Sequence, residues 1–234
     1  MKETMTTLAS IDTAVYYPVK IPSTGKKTKF RPFSVREERA FLTAHESADL
    51  TTMLTTLETI VRNCVKECPK DLTTFDVEYL FIQLRAKSVG EVTEAVATCV
   101  HCEEKNPIQI KLADVKLTNE GQSKNIKLGD KLSVTMRYPS IAEVAELSIS
   151  TDKLEEKAVA ASIETVFYND TVFHVKEGDT DDIIEFIYNR TEAEMTKLTD
   201  FVDNAPRVRL ETKYKCTKCG KDNRVVVERL VDFF

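Results

Sequence analysis

The chain is 234 residues long, 42% hydrophobic and 30% charged, with a net charge of −5 and a pI near 5.4. That balance describes a soluble globular protein with enough chain for one large core or two small ones, and it excludes a disordered polymer. The acidic total also argues against a dedicated nucleic-acid binder, which needs a concentrated basic field to neutralise phosphates.

No apolar run approaches the ~20 residues that span a bilayer, and the opening "MKETMTTLASIDTA" has one early lysine and no apolar h-region. The expectation is a protein without a signal peptide, made and kept in a reducing cytoplasm. Residues 15–33 read as two extended runs around a turn at Ser23-Thr24-Gly25-Lys26. The turn lacks the first glycine of a phosphate loop, and no helix follows Lys26 directly. Ser34-Val35-Arg36-Glu37 is a capping box that starts a helix to about His45. From 50 to 68, Leu50, Leu54, Leu57, Val61, Cys64 and Cys68 fall on one helical stripe, which Pro69 ends. Cys64 and Cys68 are therefore expected to be small core residues. A further helix is predicted over 75–87, broken by "SVGE", and 92–98 is extended.

The second half repeats this order. "VTMRYPSIAEVAEL" (134–147) matches "TKFRPFSVREERAFL" (28–42), so that Arg31 aligns with Arg137, Ser34 with Ser140 and Glu37 with Glu143, at an offset of 106. "LETIV" (57–61) aligns with "IETVF" (163–167) at the same offset, and "EYLFIQLR" (78–85) with "IIEFIYNR" (183–190) at 105. An extra helix over 191–204, opened by Thr191-x-x-Glu194, accounts for the longer spacing that follows. The ordered matches predict an ancient duplication. The expected fold class is α+β, with an N-terminal arm at 1–14, a first half at 15–112 and a second at 113–234. Each half is a β-hairpin plus helices, ending in a Cys-x-x-Cys knuckle.

The knuckles are Cys99-Val100-His101-Cys102 and Cys216-Thr217-Lys218-Cys219, with 113 residues between them. Each lies between extended segments, so both thiolates of a pair fall on one side of a tight turn. Two facing knuckles present four sulfurs, the tetrahedral set that Zn²⁺ prefers. Ribbon pairs are ordinarily separated by roughly 12–20 residues, but a duplication in which each half ends in a knuckle removes that difficulty. Cys99, Cys102, Cys216 and Cys219 are expected to form one structural zinc site, the two knuckles joined as a zinc ribbon. An iron–sulfur cluster takes the same donors, although nothing in the spacing selects it. A redox Cys-x-x-Cys needs a strand-to-helix context that neither pair has. His101 is read as a bystander beside a filled shell.

No catalytic constellation is legible. His45, His101 and His174 are isolated from one another, and "EGDTDD" (177–182) precedes a helix whose free amides it suits. The basic stretches "GKKTKFR" (25–31) and "KYKCTKCGKDNR" (213–224) read as solvated hairpin tips. Ser23–Lys27 and the terminal "RLVDFF", with Phe233 and Phe234, are the expected contact elements; the alternative for the tail is that it folds back on its own core.

Taken together, "YYPVKIPSTGKKTKFRPFSVREERAFLTAHESAD", "FDVEYLFIQLRAKSVGE" and the cysteine pair after them resemble the baseplate hub and hub-assembly proteins of T-even-type contractile-tail phages. The resemblance is clearest over residues 15–105. It implies a non-enzymatic protein of tail morphogenesis, working in the infected host cytoplasm or in the virion baseplate. Its partners would be other hub or tail-assembly proteins, with no small-molecule substrate and no membrane. The competing class is a zinc-ribbon nucleic-acid-binding or transcription accessory protein, favoured by the basic residues around the second knuckle and opposed by the acidic total.

Overall fold

The computed structural model describes residues 14–47, 49–149, 153–176 and 180–228. It is a mixed α/β structure with seven α-helices and several small sheets among these residues. Strands β1 (Tyr17–Lys20) and β2 (Lys27–Phe30) form the first hairpin. Its turn is closed by the Gly25 N–H on the Ile21 carbonyl (2.8 Å), with Gly25 at φ +69°, a left-handed conformation that glycine adopts without strain. The tip is exposed from Thr24 to Lys27. Ser23, in contrast, donates its N–H to the buried Asp76 carboxylate (2.8 Å).

Helix α1 (Val35–Glu46) starts at Ser34, whose N–H and hydroxyl both donate to Glu37 Oε2 (2.6 and 2.9 Å). Helix α2 (Leu50–Cys64) is capped by Asp49, which accepts from Thr52 N (2.8 Å). It ends four residues before the predicted limit. Val65 turns extended and bridges Phe30, and Lys66 N donates to Lys29 O (2.8 Å). The open edge of β2 thus outcompetes another helical turn. Cys64 is buried on the helix as expected, whereas Cys68 lies beyond it and is half-buried. Helix α3 (Thr74–Ser88) carries its own capping box, Thr73 with Asp76.

Strands β3 (Val92–Thr98) and β4 (Lys105–Lys111) flank the first cysteine pair in a seven-residue antiparallel register. A 3-10 turn (Leu112–Asp114) leads into β5 (Lys116–Leu117). A four-stranded sheet follows, built from β6 (Asn125–Lys127), β7 (Leu132–Met136), β8 (Ile163–Tyr168) and β9 (Thr171–His174) in that order. Helices α4 (Ile141–Ile149) and α5 (Leu154–Ser162) connect β7 to β8. Helices α6 (Thr180–Tyr188) and α7 (Glu192–Asp203) come next, the latter opened by the Thr191–Glu194 box. Strands β10 (Val208–Lys215) and β11 (Asp222–Val227) flank the second cysteine pair, and β10 also pairs with β5.

Parts of the predicted repeat have direct counterparts. Arg31 holds Glu37 in a bidentate pair (2.7 and 2.9 Å), and Arg137 holds Glu143 in the same way (2.5 and 2.9 Å). Ser140 N donates to Glu143 Oε2 (2.8 Å), as Ser34 N does to Glu37. One predicted alignment is overturned: "LETIV" (57–61) lies in helix α2, whereas "IETVF" (163–167) is strand β8. The contacts give the matching register. Arg31 N donates to Cys64 O (3.0 Å) and Arg137 N to Ser162 O (2.7 Å), so the end of α2 corresponds to the end of α5 at an offset of 98. The short bridge at Val65 corresponds to the full strand β8, since Met136 pairs with Ile163.

Two hydrophobic clusters form. One gathers Phe30, Phe41, Leu57, Leu80, Phe81, Ile108 and Ile110 with Val208, Leu210 and Val227 of β10 and β11. The other is drawn from residues 126–202, including Val134, Met136, Ile163, Ile187, Leu198 and Phe201. Each large apolar side chain so buried contributes roughly 1.5–3 kcal/mol. Tyr138, packed on the second cluster, is stacked on Phe201 (5.1 Å between centroids) and edge-on to the buried Phe75 of α3 (5.2 Å). The predicted tail "RLVDFF", residues 1–13 of the predicted arm (1–14) and residues 177–179 of the acidic run lie outside the described residues.

Candidate metal centre

Each knuckle is a hairpin end whose backbone turns back on its first cysteine. Cys99 N donates to Glu104 O (2.9 Å) and Glu103 N to Cys99 O (2.9 Å). In the second, Cys216 N donates to Lys221 O (2.9 Å) and Gly220 N to Cys216 O (3.0 Å). The residue after each second cysteine is left-handed, Glu103 at φ +60° and Gly220 at +68°. Glycine meets that demand without strain, whereas glutamate does so at a small cost. All of these pairs are related by one offset, 117 residues.

The knuckles face each other. Cys99 Sγ lies 3.7 Å from Cys219 Sγ, and Cys102 Sγ lies 3.6 Å from Cys216 Sγ. All four sulfurs fall within 4.8 Å of one another. A tetrahedral thiolate shell with metal–sulfur bonds of about 2.3 Å has edges of about 3.8 Å, so the spacing suits a metal ion at the centre. Cys99 and Cys216 are buried, Cys102 is half-buried and Cys219 is exposed. The four cysteines singled out from spacing alone are thus brought together and could bind a metal ion.

Two asparagines hold the knuckles together, and these the sequence reading missed. Asn106, buried, accepts through Oδ1 from Thr217 N (2.8 Å) and Thr217 Oγ1 (2.9 Å) of the opposite knuckle. Its Nδ2 donates to Glu104 O (2.8 Å) and faces Cys216 Sγ at 3.6 Å. Asn223, also buried, accepts from Val100 N (3.1 Å) across the same contact and donates to Lys221 O (2.9 Å). Both stand four residues after the second cysteine of their pair, so the full repeated pattern is C-x-x-C-x-x-x-N at 99–106 and 216–223. That shared asparagine was the available signal. An exposed ion pair, Lys218 Nζ with Glu104 Oε2 (3.1 Å), adds a further link.

The electrostatics of the sulfurs favour a cation. Backbone N–H groups of Cys219 and Lys218 aim at the Cys216 sulfur and, against burial, lower its thiol to about 6. At Cys102 the Glu104 N–H also favours the thiolate, but burial and the neighbouring sulfurs of Cys219, Cys216 and Cys99 push the thiol up to about 12. Burial opposes ionisation of Cys99, but the backbone N–H groups of His101 and Cys102 lower its thiol as well; negative charges gathered this closely oppose one another, an opposition that a divalent ion at the centre would remove. Tyr214 packs beside the cluster, its phenol raised by burial and by the four cysteines. His101 is exposed, and only its backbone N–H approaches a sulfur, Cys99 Sγ at 3.4 Å. Cys64, the other buried cysteine, has its thiol pushed up to about 12, chiefly by burial, and stays with the first core.

The model of the protein family described as T4 bacteriophage base plate protein matches residues 14–234. The baseplate hub assembly protein gp26 of Enterobacteria phage T4 is 27% identical over 204 residues, which cover 87% of this chain and 90% of that protein. No solved structure matches the chain.

Proposed function

The chain belongs to the T4 bacteriophage base plate protein family, and from that premise we propose that it is a non-enzymatic structural or assembly protein of the baseplate hub that acts by binding other hub and tail-assembly subunits. The observation that carries this reading is the extent of the family match, which runs through both cysteine pairs and both capping-box corners. Cys99, Cys102, Cys216 and Cys219 hold one structural Zn²⁺ in this reading. A four-thiolate shell leaves no open position for a substrate, which suits scaffolding rather than catalysis. The zinc fastens two pseudo-repeated halves whose knuckles meet across a local twofold. The work is done in the infected host cytoplasm, where thiols remain reduced.

The basic residues near the second knuckle do not favour nucleic acid strongly, because Lys218 and Arg224 are paired with Glu104 and Glu211. The test is a pull-down of the tagged chain from phage-infected cells, with the captured proteins identified by mass spectrometry. Baseplate hub subunits are expected in stoichiometric amounts. Recovery of the chain without them, or with DNA in a complex that resists moderate salt, overturns the proposal.

A further inference from the structure

We propose that Tyr214 is a positioning residue of the metal centre, its hydroxyl donating a hydrogen bond to the Cys99 thiolate of the metal-loaded cluster. The inference rests on the structural-zinc reading for the ion and on the following geometry for the residue. The offset of 117 that relates the two knuckles holds for their turns and for the two asparagines. It fails at one point. Asn106 Nδ2 donates to Glu104 O (2.8 Å) and also faces Cys216 Sγ at 3.6 Å. Asn223 Nδ2 makes the corresponding bond to Lys221 O (2.9 Å) but none to Cys99 Sγ. Among the described residues, no side-chain N–H or O–H group donates to Cys99 Sγ, which has the backbone N–H of His101 at 3.4 Å. Cys99 is only 1% exposed, so its surroundings and not bulk solvent must supply a donor.

Tyr214 stands where that donor is missing. In the β10–β11 register it is opposite Asn223, and Asn223 Oδ1 accepts from Val100 N, next to Cys99 (3.1 Å). It also lies two residues before Cys216 on the strand that leads into the knuckle, so alternation turns both side chains to one face. The Tyr214 ring packs against the first hydrophobic cluster, while its hydroxyl oxygen is buried with no hydrogen-bond partner among the described residues. A buried hydroxyl without a partner is costly and calls for an explanation. After burial, Cys99 is the group that acts most strongly on the phenol. The position 117 residues earlier is Ala97, buried and without a donor, so this device serves one side of the centre only. Four thiolates around a divalent ion retain excess negative charge, and a donor at the most enclosed sulfur disperses it.

The experiment compares the full wild-type chain with Tyr214→Phe, which keeps the ring and removes the hydroxyl, each loaded with Zn²⁺ or with Co²⁺. Tyr214→Phe is expected to hold Zn²⁺ about tenfold more weakly in competition with a chelator. Its sulfur-to-cobalt charge-transfer bands are expected to move to longer wavelength, because a thiolate that accepts one hydrogen bond fewer gives up an electron more easily. Should that variant fail to fold, Tyr214→3-fluorotyrosine keeps the shape and donates more strongly, and is expected to move the bands to shorter wavelength. Weaker Zn²⁺ binding with unmoved bands makes the hydroxyl a packing group and overturns the proposal. Affinity and bands both unchanged in Tyr214→Phe overturn it too, as do unmoved bands in the 3-fluorotyrosine chain; each leaves the zinc reading standing. A wild-type chain that binds neither ion overturns both.

Discussion

The two arginine–glutamate corners, Arg31 with Glu37 and Arg137 with Glu143, have the same sequence spacing and the same bidentate geometry. They differ in their surroundings. The Glu37 side chain is 9% exposed and Glu143 is 35% exposed. The first corner is pressed against the larger core by α2 and β2; the second stands nearer to solvent. The two knuckles also share the same turn hydrogen bonds, yet there the partners serve each other across a shared centre. Identical local chemistry thus has different worth according to what surrounds it, and the repeat allows the two contexts to be measured within one chain.

The comparison of knuckles breaks most severely at a sulfur. Cys216→Ser is expected to abolish binding of one zinc per chain, by elemental analysis, and to unfold β3, β4, β10 and β11 around it. Structural zinc in small sites contributes on the order of 10 kcal/mol. Fully folded wild-type protein that contains no metal would refute the expectation. Cys64→Ser, remote from the cluster, is expected to leave the zinc content unchanged.

Next come the corners. Glu37→Gln leaves a partly buried guanidinium short of its partner and is expected to destabilise by about 3 kcal/mol, towards the range for broken buried pairs. Glu143→Gln, discounted for its exposure, is expected to cost about 1 kcal/mol. Equal losses in urea titrations would remove burial as the distinction. Both carboxyls also predict an acid limb. Burial opposes their ionisation, but the hydrogen bonds from Arg31 and Ser34, and from Arg137 and Ser140, outweigh it and lower each from 4.5 to about 2. A depressed folded pKa gives stability that is present above 4.5 and lost as the pH falls towards 2. Unfolding free energies measured between pH 6 and 2.5 are expected to fall, and Glu37→Gln to flatten that slope more than Glu143→Gln.

The asparagines give the smallest effect and the finest contrast. Asn106 accepts two hydrogen bonds from the opposite knuckle and Asn223 accepts one. Asn106→Ala is expected to cost about 2 kcal/mol and Asn223→Ala about 1 kcal/mol. Zinc affinity is expected to drop by about 10- to 100-fold when such supporting groups are removed. The reverse order, read by metal competition, would mean that the crossed hydrogen bonds do not share the load as described.

Much of the site and of the local fold was legible in the sequence. The capping boxes at Ser34, Ser140 and Thr191 and the first hairpin follow from short-range rules, in which a side chain or turn meets a backbone group a few residues away, and the cluster of four cysteines from the repeated Cys-x-x-Cys spacing. What was not legible depends on partners far along the chain. "IETVF" and "LETIV" are near-identical strings, yet one is strand and the other helix. Residues 163–167 lie beside β7 and can continue its ladder, whereas 57–61 lie mid-helix with their apolar stripe already covered. The same long-range effect stops α2 at Cys64, where β2 offers an edge. Asn106 and Asn223 escaped notice because a buried asparagine between strands looks like a turn residue until the opposite knuckle is in place.

The pairing of β5 with β10, Leu117 opposite Val208, has a consequence for the order of events during synthesis. The chain leaves the first cluster at β5 and rejoins it at β10, and residues 126–202 make the other cluster in between. Emerging from the ribosome, the later-numbered body has all its residues while the first still lacks Val208, Leu210 and Val227. At about 5–20 residues per second the interval from residue 117 to 227 lasts on the order of ten seconds. Until Cys216 and Cys219 are translated, Cys99 and Cys102 lack the other half of the four-cysteine cluster. The nascent chain therefore completes its middle cluster before its first, and the four-cysteine cluster is complete only once Cys219 has been translated.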